Sequence, residues 1–179
     1  MMKQDYSFDP DEEMVAQLER EFGPETLRGE LKKAPKPAAG SFFADFGRRW
    51  MERAIDLGER HSDRSYEVLK TAAAKTGSLS FPFIPERFIE IAYLGTQPIY
   101  TVPIVENSAR ALVFKMPFCA YFTVIREEMG EAFAGELRCR DACLTACRTA
   151  FEHFGFKVSV AMDATMANGE YCQFSIRHE

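Results

Sequence analysis

Residues 156–177 read FKVSVAMDATMANGEYCQFSIR, and this stretch near the end of the chain decides the fold class. Apolar side chains alternate with polar or small ones in its first seven residues and again in its last six. A period of two is typical of a strand with one face on a core. The dipeptide Asn168-Gly169 between the two runs is a strong turn signal. The stretch therefore predicts an antiparallel hairpin.

A second pair of strands is predicted upstream of this hairpin. Residues 99–105 read IYTVPIV and residues 111–116 read ALVFKM, and both runs are rich in β-branched or other apolar residues that favour strands. The turn residues Asn107-Ser108 separate the two runs. Pro103 has no amide hydrogen, so the first strand is expected at an edge of the sheet or at a bulge.

Helices are predicted between the two hairpins and throughout the first half of the chain. Apolar residues recur there every three or four positions, as on the buried face of a helix. This order of elements predicts an α+β fold, with a four-stranded antiparallel sheet from two hairpins, covered by helices, and an N-terminal helical region. The predicted helices span residues 9–33, 41–57, 62–75, 86–94, 119–129 and 137–154.

The chain is expected to divide near residue 40. Residues 34–40 read APKPAAG, and two prolines and a glycine in seven residues are typical of a linker. We therefore predict an N-terminal helical arm and Pro-rich linker over residues 1–40 and a single α+β domain over residues 41–179. Such an arm would either fray or pack on a neighbouring subunit and hold a homo-oligomer together.

Composition excludes several classes of partner. The 179 residues carry a formal net charge of −5, and no basic patch stands out, which argues against binding to nucleic acid or to an anionic membrane. No run approaches the roughly 18 apolar residues of a membrane span, and the first residues do not resemble a signal peptide. We expect a soluble, cytoplasmic protein that acts on or binds a small molecule.

Cysteine is the residue type in this sequence that is best suited to a catalytic role. All five cysteines follow residue 118, their number is odd, and no CxxC pair occurs, so they are expected to be thiols in a reducing compartment. Nucleotide-binding and metalloprotease motifs such as GxGxxG and HExxH are missing from the sequence. We therefore predict neither a cofactor nor a metal. The five residues are Cys119, Cys139, Cys143, Cys147 and Cys172.

Two of these cysteines are predicted at helix starts. Unpaired amide groups and the positive end of the helix dipole would favour a thiolate at Cys119 and lower its pKa. Two arginines flank Cys139 and would act in the same direction. The alternative is that Cys119 is an ordinary buried core residue. Asp141, in the first turn after Cys139, is expected either to cap the helix or to orient a base or a substrate amine.

The remaining cysteines fit a core. Cys139, Cys143 and Cys147 lie four residues apart and share one helix face, where cysteine packs as a small hydrophobe. A metal site on this face is the less favoured interpretation, because zinc cysteines are usually spaced by short loops. Cys172 alternates with Phe174 and therefore faces the core side of the last strand, where it could border a pocket.

The C-terminal half resembles a known family. A cysteine after a strand, the helix start Leu137-Arg-Cys-Arg-Asp141 and the hairpin segment Gly169-Glu-Tyr-Cys-Gln-Phe174 follow each other as in the L-2-amino-thiazoline-4-carboxylic acid hydrolase family. The resemblance covers residues 99–177 and implies opening of a cyclic amidine to a carbamoyl-cysteine. It implies roles for Cys139, Asp141 and Cys172, and for Cys119 although Phe118 stands where the family has an arginine.

Three hypotheses follow from these observations. The first is a cysteine-dependent hydrolase or lyase, acting on a small heterocyclic or amidine C–N or C–S substrate, with Cys119, Cys139, Asp141 and Cys172 as catalytic residues. The second is a non-catalytic module or accessory subunit that binds a small ligand. The third is a thiol or metal sensor built on the cysteine stripe.

Overall fold

A computed structural model describes residues 12–34, 41–60, 94–95, 103–108, 110–136 and 138–179. The predicted helix at 62–75, most of that at 86–94, the strand residues 99–102, most of the Pro-rich linker and Leu137 lie outside these ranges. The elements are α1 (Glu12–Phe22), α2 (Pro24–Lys33), α3 (Ser41–Arg60), β1 (Ile104–Asn107), β2 (Ala111–Met116), α4 (Ala120–Met129), α5 (Glu131–Gly135), α6 (Arg140–His153), β3 (Val158–Ala164) and β4 (Cys172–His178).

The predicted α+β class is confirmed. Four strands form an antiparallel sheet in the order β1-β2-β4-β3, with helices around it. Strand β1 is at an edge of this sheet and its register shifts between Ile104 and Glu106, as expected for the strand that follows Pro103. The terminal hairpin forms as predicted, but its strands are joined by residues 165–171, a longer loop than a two-residue Asn-Gly turn requires.

One face of the sheet packs on the helices. Phe114 of β2 is paired with Phe174 of β4, and their rings are stacked with centroids 5.1 Å apart. The neighbouring pair on the same face is Met116 and Cys172. Since alternate residues of a strand share a face, this pairing directs the first residue of β4 toward the helices, as the alternation predicted.

The N-terminal helices pack on the core of the same chain. Their apolar stripe is buried, and the hydroxyl of Tyr121 in α4 donates a hydrogen bond of 2.6 Å to the backbone carbonyl of Phe22. The expected arm, reaching a neighbour or fraying, is therefore not what residues 12–33 form. The stripe finds a matching surface within its own chain, which sequence periodicity alone does not reveal. The buried residues are Met14, Leu18, Phe22, Leu27 and Leu31.

Helices α3 and α6 form the most extensive helix–helix contact of the described structure. Gly47 makes this contact possible, because its backbone lies directly against Ala142 in the first turn of α6. In the part of the chain that the structure describes, no helix is both long enough and apolar enough to cross a membrane.

Candidate functional site

A small cavity lies where the first turns of α4 and α6 meet the start of β4. Cys119, Cys139 and Cys172, three of the four residues singled out from the sequence, all line this cavity. They come from positions far apart in the chain, and the fold alone brings them together. The rest of the lining is largely apolar and includes aromatic side chains of α3 and α4.

The cavity is narrow. The centre of a water molecule can occupy a volume of only about 20 Å³ inside it. This space is enough for about one water molecule, whereas sites for small organic ligands usually measure about 300–1,000 Å³. A ring-sized substrate can therefore reach the thiols only if part of the wall moves.

Cys119 is the N-cap residue of α4, as the sequence predicted. Its Sγ accepts a hydrogen bond from the amide of Phe122, with a distance of 3.4 Å between the two heavy atoms. Burial nevertheless raises the pKa of the Cys119 thiol to about 11, and the amide hydrogen bond offsets only part of this effect. The expected lowering of this pKa is wrong, because desolvation of the thiol outweighs the effect of the helix start.

Cys139 is the N-cap residue of α6 and makes no side-chain capping bond. Burial is the largest cause that raises the pKa of its thiol to about 12, with further contributions from the Cys119 and Cys172 thiols. The flanking arginines do not produce the expected lowering. The Arg138 guanidinium lies 2.7 Å from Glu136, and that of Arg140 lies 3.8 Å from Asp141.

Asp141 is the predicted site residue that does not line the cavity. It lies in the first turn of α6, its side chain is 38% exposed, and its carboxylate lies 3.8 Å from the guanidinium of Arg140. The negative charge of Asp141 contributes to the raised pKa of Cys139. Asp141 therefore lies near Cys139 but outside the described lining of the cavity.

Cys172 is half-buried at the start of β4. Burial raises the pKa of its thiol, and a backbone hydrogen bond with Met166 in the β3–β4 loop acts against this shift. The predicted position of Cys172 on the core side of the strand, at the border of a pocket, matches the structure.

Sequence reasoning missed several residues of the lining. Cys143, predicted to be a core residue, is half-buried and lines the cavity, whereas Cys147 one turn later does not line it. The four-residue spacing from Cys139 was the available signal for Cys143. Leu27 of α2 and Tyr121 of α4 also line the cavity, and no local pattern linked them to it.

The site offers neutral thiols rather than a thiolate–base pair. His153 and His178, the two histidines that the structure describes, are absent from the described lining. A proton leaving a thiol here must therefore pass to a bound molecule or to water. Among the described residues, no three His, Cys, Asp or Glu side chains are grouped so as to hold a metal ion, so the cysteine stripe gives no support to a metal site.

Comparisons with models of protein families and with curated proteins find no match to this chain.

Proposed function

We propose that the protein is a cysteine-dependent hydrolase or lyase that acts on a small amidine or heterocyclic substrate in the cysteine-lined cavity. The observation that carries the proposal is the meeting of Cys119, Cys139 and Cys172 around one cavity. The resemblance in residues 99–177 singled out these three residues from the sequence pattern. A cytoplasmic location, which would keep the thiols reduced, accompanies the proposal.

Cys119 is the proposed nucleophile, because its sulfur already accepts an amide hydrogen bond that would stabilise developing negative charge. Its thiol is neutral, so its proton passes to the amidine nitrogen of the substrate as the new S–C bond forms. The C–S or C–N bond of the substrate then breaks, and the leaving atom takes up that proton. One water molecule adds to the carbon bound to Cys119, which yields the carbamoyl product and restores the thiol.

Arg140 supplies the proposed contact to an anionic substrate group. It is the one charged residue among the described residues of the lining, and its side chain is 59% exposed. A guanidinium at the edge of an apolar cavity can bind a carboxylate through paired hydrogen bonds. A 2-aminothiazoline-4-carboxylate would then place its ring toward the thiols and its carboxylate toward solvent.

The test is turnover of 2-aminothiazoline-4-carboxylate, followed by chromatography of substrate and carbamoyl product. Cys119→Ala is expected to abolish turnover, whereas Cys147→Ala, which alters a half-buried residue away from the described lining, should retain it. Equal activity of these two variants would rule out Cys119 as the nucleophile. Absence of turnover by the unaltered protein would remove this substrate from the proposal.

A binding module for a small apolar ligand is the second candidate. The raised thiol pKa values and the mainly apolar lining favour it, because neutral thiols behave as small hydrophobic groups. This function predicts a ligand that raises the melting temperature of the unaltered protein and is recovered unchanged. The hydrolase proposal predicts instead that the substrate is consumed.

A further inference from the structure

The cavity is too small for an organic molecule, so one of its walls must move if it is to admit one. Of the described elements around it, α3 and α6 are held by the close backbone contact of Gly47 with Ala142. Strands β2 and β4 are held by a continuous hydrogen-bonded ladder. Helix α2 also contributes a residue, Leu27, to the described lining. It differs from these elements in that side chains attach it to its neighbours.

Ion pairs near the surface account for the polar part of this attachment. The guanidinium of Arg28 in α2 bonds to Glu127, at 2.7 Å, and to Glu128 of α4. Lys32 lies 3.6 Å from Glu128, and Glu30 pairs with Arg49 of α3 at 2.8 Å. Such partly exposed pairs contribute little stability each and weaken in salt. The polar part of the attachment of α2 is therefore weak, and burial of the Leu27 and Leu31 side chains supplies the apolar part.

The junction between α1 and α2 is suited to act as a hinge. Gly23 separates the two helices with an extended backbone (φ −66°, ψ 172°). The preceding residue, Phe22, is held on α4 by the hydrogen bond from Tyr121. Helix α1 therefore stays anchored at its end. The hydroxyl of Thr26 in α2 donates a hydrogen bond of 2.7 Å to the carbonyl of Arg20, and this exposed bond must break when the chain beyond Gly23 pivots.

We propose that α2 is a hinged cover over the cysteine-lined cavity, with Leu27 as the side chain that closes it. When α2 turns away from α4 about Gly23, a small molecule gains access to Cys119 and Cys139. This inference rests on the proposed function in one respect, that the cavity receives a small molecule. Its test measures access to the thiols and not turnover.

The first experiment compares Arg28→Gln with Arg48→Gln in the full chain. Arg28 joins α2 to α4, whereas Arg48 pairs with Asp45 and Glu52 inside α3. Iodoacetamide labelling of Cys119 is followed by mass spectrometry over a series of low urea concentrations. We expect Arg28→Gln to raise the labelling rate about two- to tenfold, the range for loss of surface ion pairs, and Arg48→Gln to leave it unchanged.

The urea dependence separates local opening from unfolding. A hinged cover exposes little surface, so its labelling rate should vary with urea far less than global unfolding does. The proposal is overturned if both variants label at the rate of the unaltered protein. It is also overturned if labelling follows global unfolding at every urea concentration.

A second experiment compares Leu27→Ala with Leu31→Ala, two buried leucines of α2 of which Leu27 lines the cavity. Both variants loosen α2, but Leu27→Ala also enlarges the closed cavity. The labelling rate with bulky N-ethylmaleimide, divided by that with iodoacetamide, should therefore rise in Leu27→Ala and stay constant in Leu31→Ala. An equal ratio in both variants would show that Leu27 does not close the cavity.

Discussion

Gly47 of α3 and Ala142 of α6 approach so closely that a Cβ atom on Gly47 would lie 2.0 Å from the carbonyl oxygen of Ala142. The contact is with backbone, which cannot turn aside as a flexible side chain can. Because Ala142 follows the N-cap residue Cys139 by one turn, this contact also sets the position of one wall of the cavity.

Gly47→Ala is therefore expected to destabilise the protein by about 3 kcal/mol or more, at the upper end of the range for overpacking. Gly29→Ala is the matched control, since a Cβ atom there meets nothing within 4 Å, and its expected effect is a gain of about 0.5–1 kcal/mol. Urea unfolding followed by circular dichroism measures both changes. A stability loss of less than 1 kcal/mol in Gly47→Ala would contradict the close approach.

The cavity thiols predict a loss of stability at alkaline pH. Burial raises the pKa of Cys119 from 9.0 to about 11, so between these values the folded state binds more protons than the unfolded state. Stability must then fall as pH rises from about 9 to about 11, by about 2–3 kcal/mol for this group. The measurement is urea unfolding at several alkaline pH values.

Cys119→Ala removes this group and should remove that part of the decline. Tyrosines and lysines elsewhere contribute equally to the pH dependence of both proteins, so their contribution drops out of the difference in stability between the variant and the unaltered protein. Parallel stability curves for the two proteins above pH 9 would mean that Cys119 is not desolvated in the folded state.

Tyr121→Phe tests the link between the N-terminal helices and the cavity wall. The substitution keeps the ring and leaves the carbonyl of Phe22 without its hydrogen bond of 2.6 Å, so we expect a loss of about 1–3 kcal/mol. Tyr171→Phe is the control, because it removes a hydroxyl but keeps the ring that lies near the ammonium of Lys115. Its free energy of unfolding is expected to change by no more than about 0.5 kcal/mol. Denaturation of both variants gives the comparison, and similar losses would argue against a special role for the Tyr121 hydroxyl.

Acid is expected to weaken the attachment of the N-terminal helices. Hydrogen bonds from Arg53 and Arg28 hold the pKa values of Glu21 and Glu128 below their usual value, so these carboxylates stabilise the folded state while they are ionised. Their contribution is present above about pH 5 and is lost as pH falls through the lowered pKa values. The urea concentration at the midpoint of unfolding should decrease as the pH is lowered from 6 to 3. It should decrease less steeply in Glu21→Gln than in the unaltered protein.

Periodicity predicted most of the fold correctly. The alternation at residues 156–162 and at 172–176 became β3 and β4, and the helix start at Cys119 is in place. These features depend on neighbours a few residues apart in the chain. Local side-chain preference and the direction of successive residues are enough to determine them.

Proximity in space could not be predicted in the same way. The alternation of β4 placed Cys172 on the core side, yet its neighbours there, Cys119 and Cys139, come from two helices packed by contacts such as Gly47 with Ala142. The stripe on α1 showed that one face must be buried but not that Phe22 would meet Tyr121.

The sequence by itself therefore determined the α+β class, the strand faces and the positions of the thiols at helix starts. The tertiary structure decided that Cys119, Cys139 and Cys172 share a cavity and that their thiols are neutral. The physical reason is that ionisation depends on how far a group is removed from water, and burial depends on the packing of the whole domain rather than on adjacent residues.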